Sequence, residues 1–226
     1  MNIHPLTLGF VQVYLIETPA GQVLVDCGMP RQEGAILRAI EQSGRGSLKL
    51  IFITHAHADH YGSAAELRRL TGAPVAIHRA DAQAMANGET PVRGSKPLMR
   101  LATSLMMRLS PTPPLRADVL LEDGDSLAQY GLPGVIVHTP GHTDGSCCLV
   151  LEDGTAFLGD MLAARRKPNL QRRFIEDPMQ LRESYIRLRA LELAKVYAGH
   201  GSRVLTGEEL NRLIDAEVSL SRPDAE

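Results

Sequence analysis

Three cysteines in 226 residues are too few for a disulfide framework, so a reducing compartment is expected. No apolar run approaches the length of a bilayer span. The opening stretch, MNIHPLTLGFVQVYLIETPAG, has no basic segment followed by an apolar one, so no secretory leader is expected and the assigned location is cytoplasmic. Positive charge is not in excess either. Lys and Arg number 24 against 26 Asp and Glu, a formal charge of −2. That balance gives no overall attraction to nucleic acid or to anionic membranes, so a small molecule is the expected partner. What the chain does have is 44% hydrophobic and 22% charged residues, enough for a real core. Its length suits one domain over 1–226 or a compact duplicated one.

Strand and helix signals alternate through the first half. Val11–Ile16 and Val23–Val25 read as a hairpin of buried strands across the turn at Pro19-Ala20-Gly21. A helix is expected from Pro30, with Ala35, Ile36, Leu37, Ala39 and Ile40 on its apolar face and a stop at Ser43-Gly44. A strand over 48–53 follows, then a helix over 62–70 with Ala65, Leu67 and Leu70 inward, a strand over 73–77 and a short helix over 81–85. The second half places short strands at 119–121, 134–137, 147–151, 156–158 and 195–198, with helices at 183–193 and 208–218. The two halves suggest two packed sheets with helices outside. Residues 221–226 read as a polar, frayed tail.

The chemistry is concentrated in histidine. Thr54-His55-Ala56-His57-Ala58-Asp59-His60 leaves a strand and enters a helix. At an extended strand end His55 and His57 point to one side and can chelate one ion. Asp59 and His60 fall at the turn, where they can face a second. His142, Asp160 and His200 each follow a strand and are flanked by glycine, as Gly141-His142, Gly159-Asp160 and Gly199-His200-Gly201. Glycine lets the backbone bend sharply and approach an ion closely. Five His and two Asp suffice for two ions and a bridge. Imidazole nitrogen with carboxylate oxygen suits zinc, and also iron or manganese.

These motifs resemble those of the metallo-β-lactamase-fold superfamily of binuclear hydrolases, over roughly residues 8–201. The resemblance implies an α/β fold, a four-layer αβ/βα sandwich with metals at one sheet edge. It implies that His55, His57 and His142 hold one ion, that Asp59, His60 and His200 hold the second, and that Asp160 bridges. Asp26, after the early hairpin, is read as orienting a ligand histidine. The implied chemistry is attack by a hydroxide shared between two divalent ions, zinc by expectation, on an ester, lactone, thioester or phosphoester, with Asp59 shuttling a proton. Metallo-β-lactamases proper do not have the bridging aspartate. Glyoxalase II adds a helical domain, whereas 26 residues follow His200 here. Acyl-homoserine lactonases place a tyrosine three positions past the bridge, where this chain has Ala163. The rival on the same fold is a persulfide dioxygenase with one iron at the first site. A metal-binding module without turnover is a further, weaker alternative.

Two basic segments remain. Residues 87–117 carry Arg93, Lys96, Arg100, Arg108 and Arg116 against Glu89 alone, with Leu98, Leu101, Ala102, Leu105 and Leu109 at helical spacing. This segment reads equally as a lid whose Leu and Met side chains wall the site for an acyl group and as a surface helix that simply caps the core. Arg165, Arg166, Lys167, Arg172 and Arg173 follow the bridge and suggest an anionic substrate. His78, His138, Cys27, Cys147 and Cys148 are read as packing residues, and His4 as solvated.

Overall fold

In the computed structural model, which describes residues 1–220 apart from 45, 93 and 95, alternate residues of the first hairpin enter different cores. Val13, Leu15 and Leu24 face one apolar cluster, and Tyr14, Ile16, Val23 and Val25 face another. The period-two alternation of a strand buried on both faces accounts for this. The sheet so begun has six strands in chain order: β1 (Asn2–Leu8), β2 (Val11–Thr18), β3 (Gly21–Val25), β4 (Leu48–Ile53), β5 (Val75–His78) and β6 (Val119–Leu121). Pairing is antiparallel from β1 to β3 and parallel from β3 to β6.

Between these strands run α1 (Glu33–Ser43), α2 (Ala58–Tyr61), α3 (Ala64–Thr71), α4 (Ala82–Asn87) and α5 (Pro97–Leu109). Ile36 of α1 and Leu67 of α3 pack on the outer face of the first sheet. The second half supplies β7 (Gly134–His138), β8 (Cys147–Leu151), β9 (Thr155–Phe157), the short pair β10 (Leu162–Ala163) and β11 (Asn169–Leu170), α6 (Pro178–Arg189), β12 (Lys195–Tyr197), β13 (Leu205–Thr206) and α7 (Gly207–Leu220). Five of these strands form a second sheet in the order β13-β12-β9-β8-β7. Leu181, Tyr185 and Leu188 of α6 and Leu210 and Ile214 of α7 cover its outer face. Between the sheets lies a core of Tyr14, Phe52, Leu149, Phe157 and their neighbours. The result is the expected αβ/βα sandwich. Cys147 enters the inter-sheet core and Cys148 the outer one, as opposite faces of one strand require.

Several expectations need correction. The expected strands begin at Val11, whereas the structure adds an earlier one, Asn2–Leu8, at the sheet edge, where the missing N–H of Pro5 is tolerated. The first helix starts at Glu33, not at Pro30, because Arg31 has φ +71°, outside the helical range. Leu70 is exposed, whereas Leu67 alone of the two is buried. α6 begins five residues before position 183, where Asp177 caps it through Met179 N and Gln180 N and Pro178 opens the first turn. The tail at 221–226 and Arg93 lie outside the described residues. Among the described residues, no helix is long and apolar enough to cross a membrane.

Phe157 stacks on Tyr197 at 5.1 Å and tilts against Tyr14 at 5.2 Å, and is 1% exposed. Phe157→Ala is expected to lower the unfolding free energy by about 3–5 kcal/mol in a denaturant titration.

Candidate metal centre

The direction of the strands brings the histidine-bearing loops together. β9 runs parallel to β12, and β8 runs antiparallel to both β7 and β9. The loops that follow β7, β9 and β12, carrying His142, Asp160 and His200, therefore leave one edge of the second sheet. The loop after β4 joins them there, tied by the bond from Cys147 N to Thr54 O at 3.0 Å. A second tie runs from Gln12 N to Gly199 O at 2.7 Å. A crevice at the carboxyl ends of parallel strands is the usual ligand position in such sheets.

All seven histidines and aspartates of the sequence motifs meet at this edge, in two groups. One comprises His55, His57, His142 and Asp160, the other Asp59, His60 and His200, each with donor atoms within 4.8 Å of one another. Asp160 lies between them. Its Oδ2 is 3.5 Å from His142 Nε2 and 3.1 Å from His200 Nε2, and its Oδ1 is 3.2 Å from His60 Nε2. Asp59 Oδ2 is 3.5 Å from His200 Nε2 and 3.8 Å from His60 Nε2. Gly199 is required by proximity: a Cβ there would stand 2.6 Å from Asp160 Oδ1 and 2.7 Å from His60 Cε1.

The far nitrogens of four rings are held by the protein. His57 Nε2 donates to Pro91 O at 2.7 Å and His200 Nδ1 to Phe10 O at 3.0 Å. His60 Nδ1 meets Asp26 Oδ2 at 2.7 Å, and His55 Nδ1 lies 3.0 Å from Thr54 Oγ1. Such bonds fix which nitrogen faces the centre. Asp26 also accepts from Thr54 N at 2.8 Å. It does so with φ +59°, a left-handed backbone that costs on the order of 1–3 kcal/mol and is seen where function over-determines geometry.

Burial holds His55 well below the usual imidazole range and takes His142 down to about 3, so both are neutral. Burial is the largest single influence at His60 and His200 too and opposes charge there, but the attraction and hydrogen bond of Asp160, joined by Asp26 and Asp59 at His60 and by Phe10 O at His200, together exceed it, and both rise. Asp160, though buried, is held well below its usual range by His60 and His200. His55 Nε2, His60 Nε2 and Asp160 Oδ1 are buried and make no hydrogen bond. Each such orphan costs about 1–3 kcal/mol. Lone pairs of imidazole and carboxylate aimed at a common point fit divalent cations, which need neutral imidazoles and ionised carboxylates.

Two further residues at the centre had no local signal in the sequence. Asp81, 2% exposed, accepts from Ala56 N, Gly145 N and Thr143 Oγ1, each at 2.7 Å, and so joins the His55–His57 loop to the His142 loop. A Cβ on Gly145 would lie 2.5 Å from Asp81 N, so the approach needs glycine. Gln171 Nε2 donates to Asp160 Oδ2 at 3.2 Å. The packing residues are as read: Cys27 is buried, and His78 stacks on His138 at 3.9 Å. His4 instead pairs with Glu17 Oε1 at 2.8 Å.

A cavity of about 450 Å³ opens over the centre. Asp59, Asp160 and His200 form its floor, Phe10, Met29 and Phe174 give it apolar walls, and Arg165, Arg172 and Arg173 stand on its rim. Phe174, with φ +56°, sets its ring edge-on to His57 at 6.1 Å. From α5 the cavity receives Thr103; Leu98, Leu101, Leu105 and Leu109 face solvent instead of walling the site. Helical periodicity defines a stripe without saying which way it points.

A family model described as the metallo-beta-lactamase superfamily matches residues 6–200. The chain belongs to that superfamily. Within it, the chain is 28% identical to the probable metallo-hydrolase YflN of Bacillus subtilis, over 88% of this chain and 84% of that one. It is 33% identical to a hydroxyacylglutathione hydrolase of Cereibacter sphaeroides, over 59% of this chain and 41% of that enzyme. The solved structure of TTHA1623 in a di-iron-bound form superposes with a TM-score of 0.72 at 28% identity, over 93% of this chain and 98% of that one. Superfamily membership and metallo-hydrolase relatives suggest a hydrolase, and the two clusters are candidate metal ligands.

Asp81→Ala strands two buried N–H donors and a hydroxyl. An unfolding free energy lower by about 2–5 kcal/mol, read by denaturant titration, is the expected result.

Proposed function

We propose that this protein is a binuclear metal-dependent hydrolase of a small ester, lactone, thioester or phosphoester. In this reading His55, His57 and His142 hold the first ion, Asp59, His60 and His200 the second, and Asp160 ligates both. The observation that carries the proposal is the carboxylate of Asp160 between the two clusters, one oxygen toward His60 and the other toward His142 and His200. When bound, two divalent ions supply an acidified water near neutral pH and a Lewis acid for the scissile carbonyl or phosphoryl oxygen. The chain's own residues do the rest. Asp26 fixes the His60 ring and Asp81 holds the two loops of the first cluster in register. Asp59, 20% exposed and on the cavity floor, is placed to take a proton on the carboxylate oxygen that does not ligate the second ion and pass it to a leaving group. The complete second cluster favours two ions over the single iron of a dioxygenase, and the di-iron form of TTHA1623 makes iron a metal to test beside zinc and manganese.

The cavity supports a substrate with an anionic group and an apolar portion. Arg172 is paired with Glu217 at 2.6 Å, but Arg165 and Arg173 make no ion pair among the described residues and face the same opening as Phe10 and Phe174. A carboxylate or phosphate at the rim would meet those two guanidinium groups while an acyl chain lies on the rings. Ala163 in the cavity wall offers no hydroxyl, which sets this site apart from lactonases that use a tyrosine there.

Asp160→Ala is expected to lower bound metal per chain and to cut turnover by about a hundred-fold or more, since even residues that only orient ligands cost 10–100-fold. Unchanged metal content and rate would remove the assignment. Arg165→Ala with Arg173→Ala is expected to raise KM for carboxylate- or phosphate-bearing esters about ten-fold while leaving kcat and neutral esters unaffected. Equal effects on charged and neutral substrates would argue against the anion subsite.

A further inference from the structure

The outward face of α5 is at odds with a helix meant only to cap a site. Leu98, Leu101, Leu105 and Leu109 are 79, 68, 57 and 80% exposed. At 3.6 residues per turn they fall within an arc of about 80°. Thr103, the one buried side chain among those described in α5, lies roughly 150° from the middle of that arc. The helix thus turns its polar residue to the cavity and a continuous aliphatic ridge to solvent, the reverse of ordinary amphipathic packing. Apolar patches of this kind mark interaction sites.

Charge selects the occupant. From Thr90 to Ala117 the chain has five basic residues and no acidic one. Lys96, Arg100, Arg108 and Arg116 are exposed, and none forms an ion pair among the described residues. The overall charge of −2 averages this local excess away. A second copy of the chain would bring the same cations against these. The ridge is convex and aliphatic, without the aromatic anchors typical of protein hot spots. Arg108 lies about 60° from the middle of the leucine arc and Lys96 stands at the start of the helix, whereas Arg100 is on the Thr103 side. A leucine face bordered by such long cationic side chains suits an interfacial helix, whose bases reach the headgroups while the apolar face enters the acyl region.

We propose that α5 docks this protein onto an anionic lipid surface, its leucine ridge among the acyl chains and Lys96 and Arg108 at the headgroup phosphates. Because Thr103 lines the cavity, docking holds the mouth of the site beside the bilayer. The proposal does not depend on which bond is cut.

Flotation of the metal-loaded protein with vesicles tests it. Binding is expected to equimolar phosphatidylcholine and phosphatidylglycerol, at least about ten-fold above pure phosphatidylcholine and reduced by high salt. Leu101→Glu with Leu105→Glu is expected to abolish flotation without changing melting temperature or metal content. Lys96→Glu with Arg108→Glu is expected to remove the preference for the anionic lipid. Absence of binding by the unaltered protein, or binding that survives the leucine substitutions, would overturn the proposal. So would a shift from dimer to monomer caused by them, which would make a second copy the occupant, or capture by an acidic peptide without any affinity for vesicles.

Discussion

The carboxylate of Asp160 is the point on which the centre depends. It is buried, ionised against the cost of burial, and set between imidazoles from three other loops. Such a group is stable only if cations or protonated partners stand around it. That demand explains why His60 and His200 are drawn upward in pKa while His55 and His142, farther from compensating charge, are pushed down by burial. The same demand explains Gly199, since any side chain there would occupy the space between Asp160 and His60.

The sandwich exists, in this sense, to deliver those loops to one edge. Loops leave co-directed strands of the second sheet, and the His55–His60 loop arrives from the first. The inter-sheet core sets their distance, and a few polar ties across the edge set their register: Asp81 between two loops, Asp26 between a hairpin and His60, and the backbone bond from Cys147 to Thr54. These ties are short and buried, and all but the Asp26–His60 bond end on main-chain groups, so they resist the repulsion of ligands crowded without charge balance. Two of the three left-handed non-glycine residues among those described also touch the centre. Asp26 and Phe174 both hold left-handed backbones and both touch residues of the centre, His60 and His57.

Much of this was legible in the sequence. The His55–His60 run, the glycine-flanked His142, Asp160 and His200, and most strands declare themselves through local spacing, because a metal loop and a buried strand are both local patterns. Other features are not local. Asp81 acts on residues 25 and 64 positions away, and nothing beside it in the chain foretells that. β1 is an edge strand defined by its pairing with β2, which no local spacing announces. α5 shows its leucine period plainly, but whether such a stripe faces in or out is settled by what the rest of the chain leaves to cover it. The start of α6 was readable in Asp177-Pro178, a cap followed by a first-turn proline, and was overlooked in favour of its apolar residues.

The central claim is that two ions share Asp160. Elemental mass spectrometry on protein purified without added metal tests it most directly. The account predicts two zinc, manganese or iron ions per chain. A single iron per chain, with no second ion taken up on titration, would contradict it and would move the chemistry from hydrolysis to oxidation.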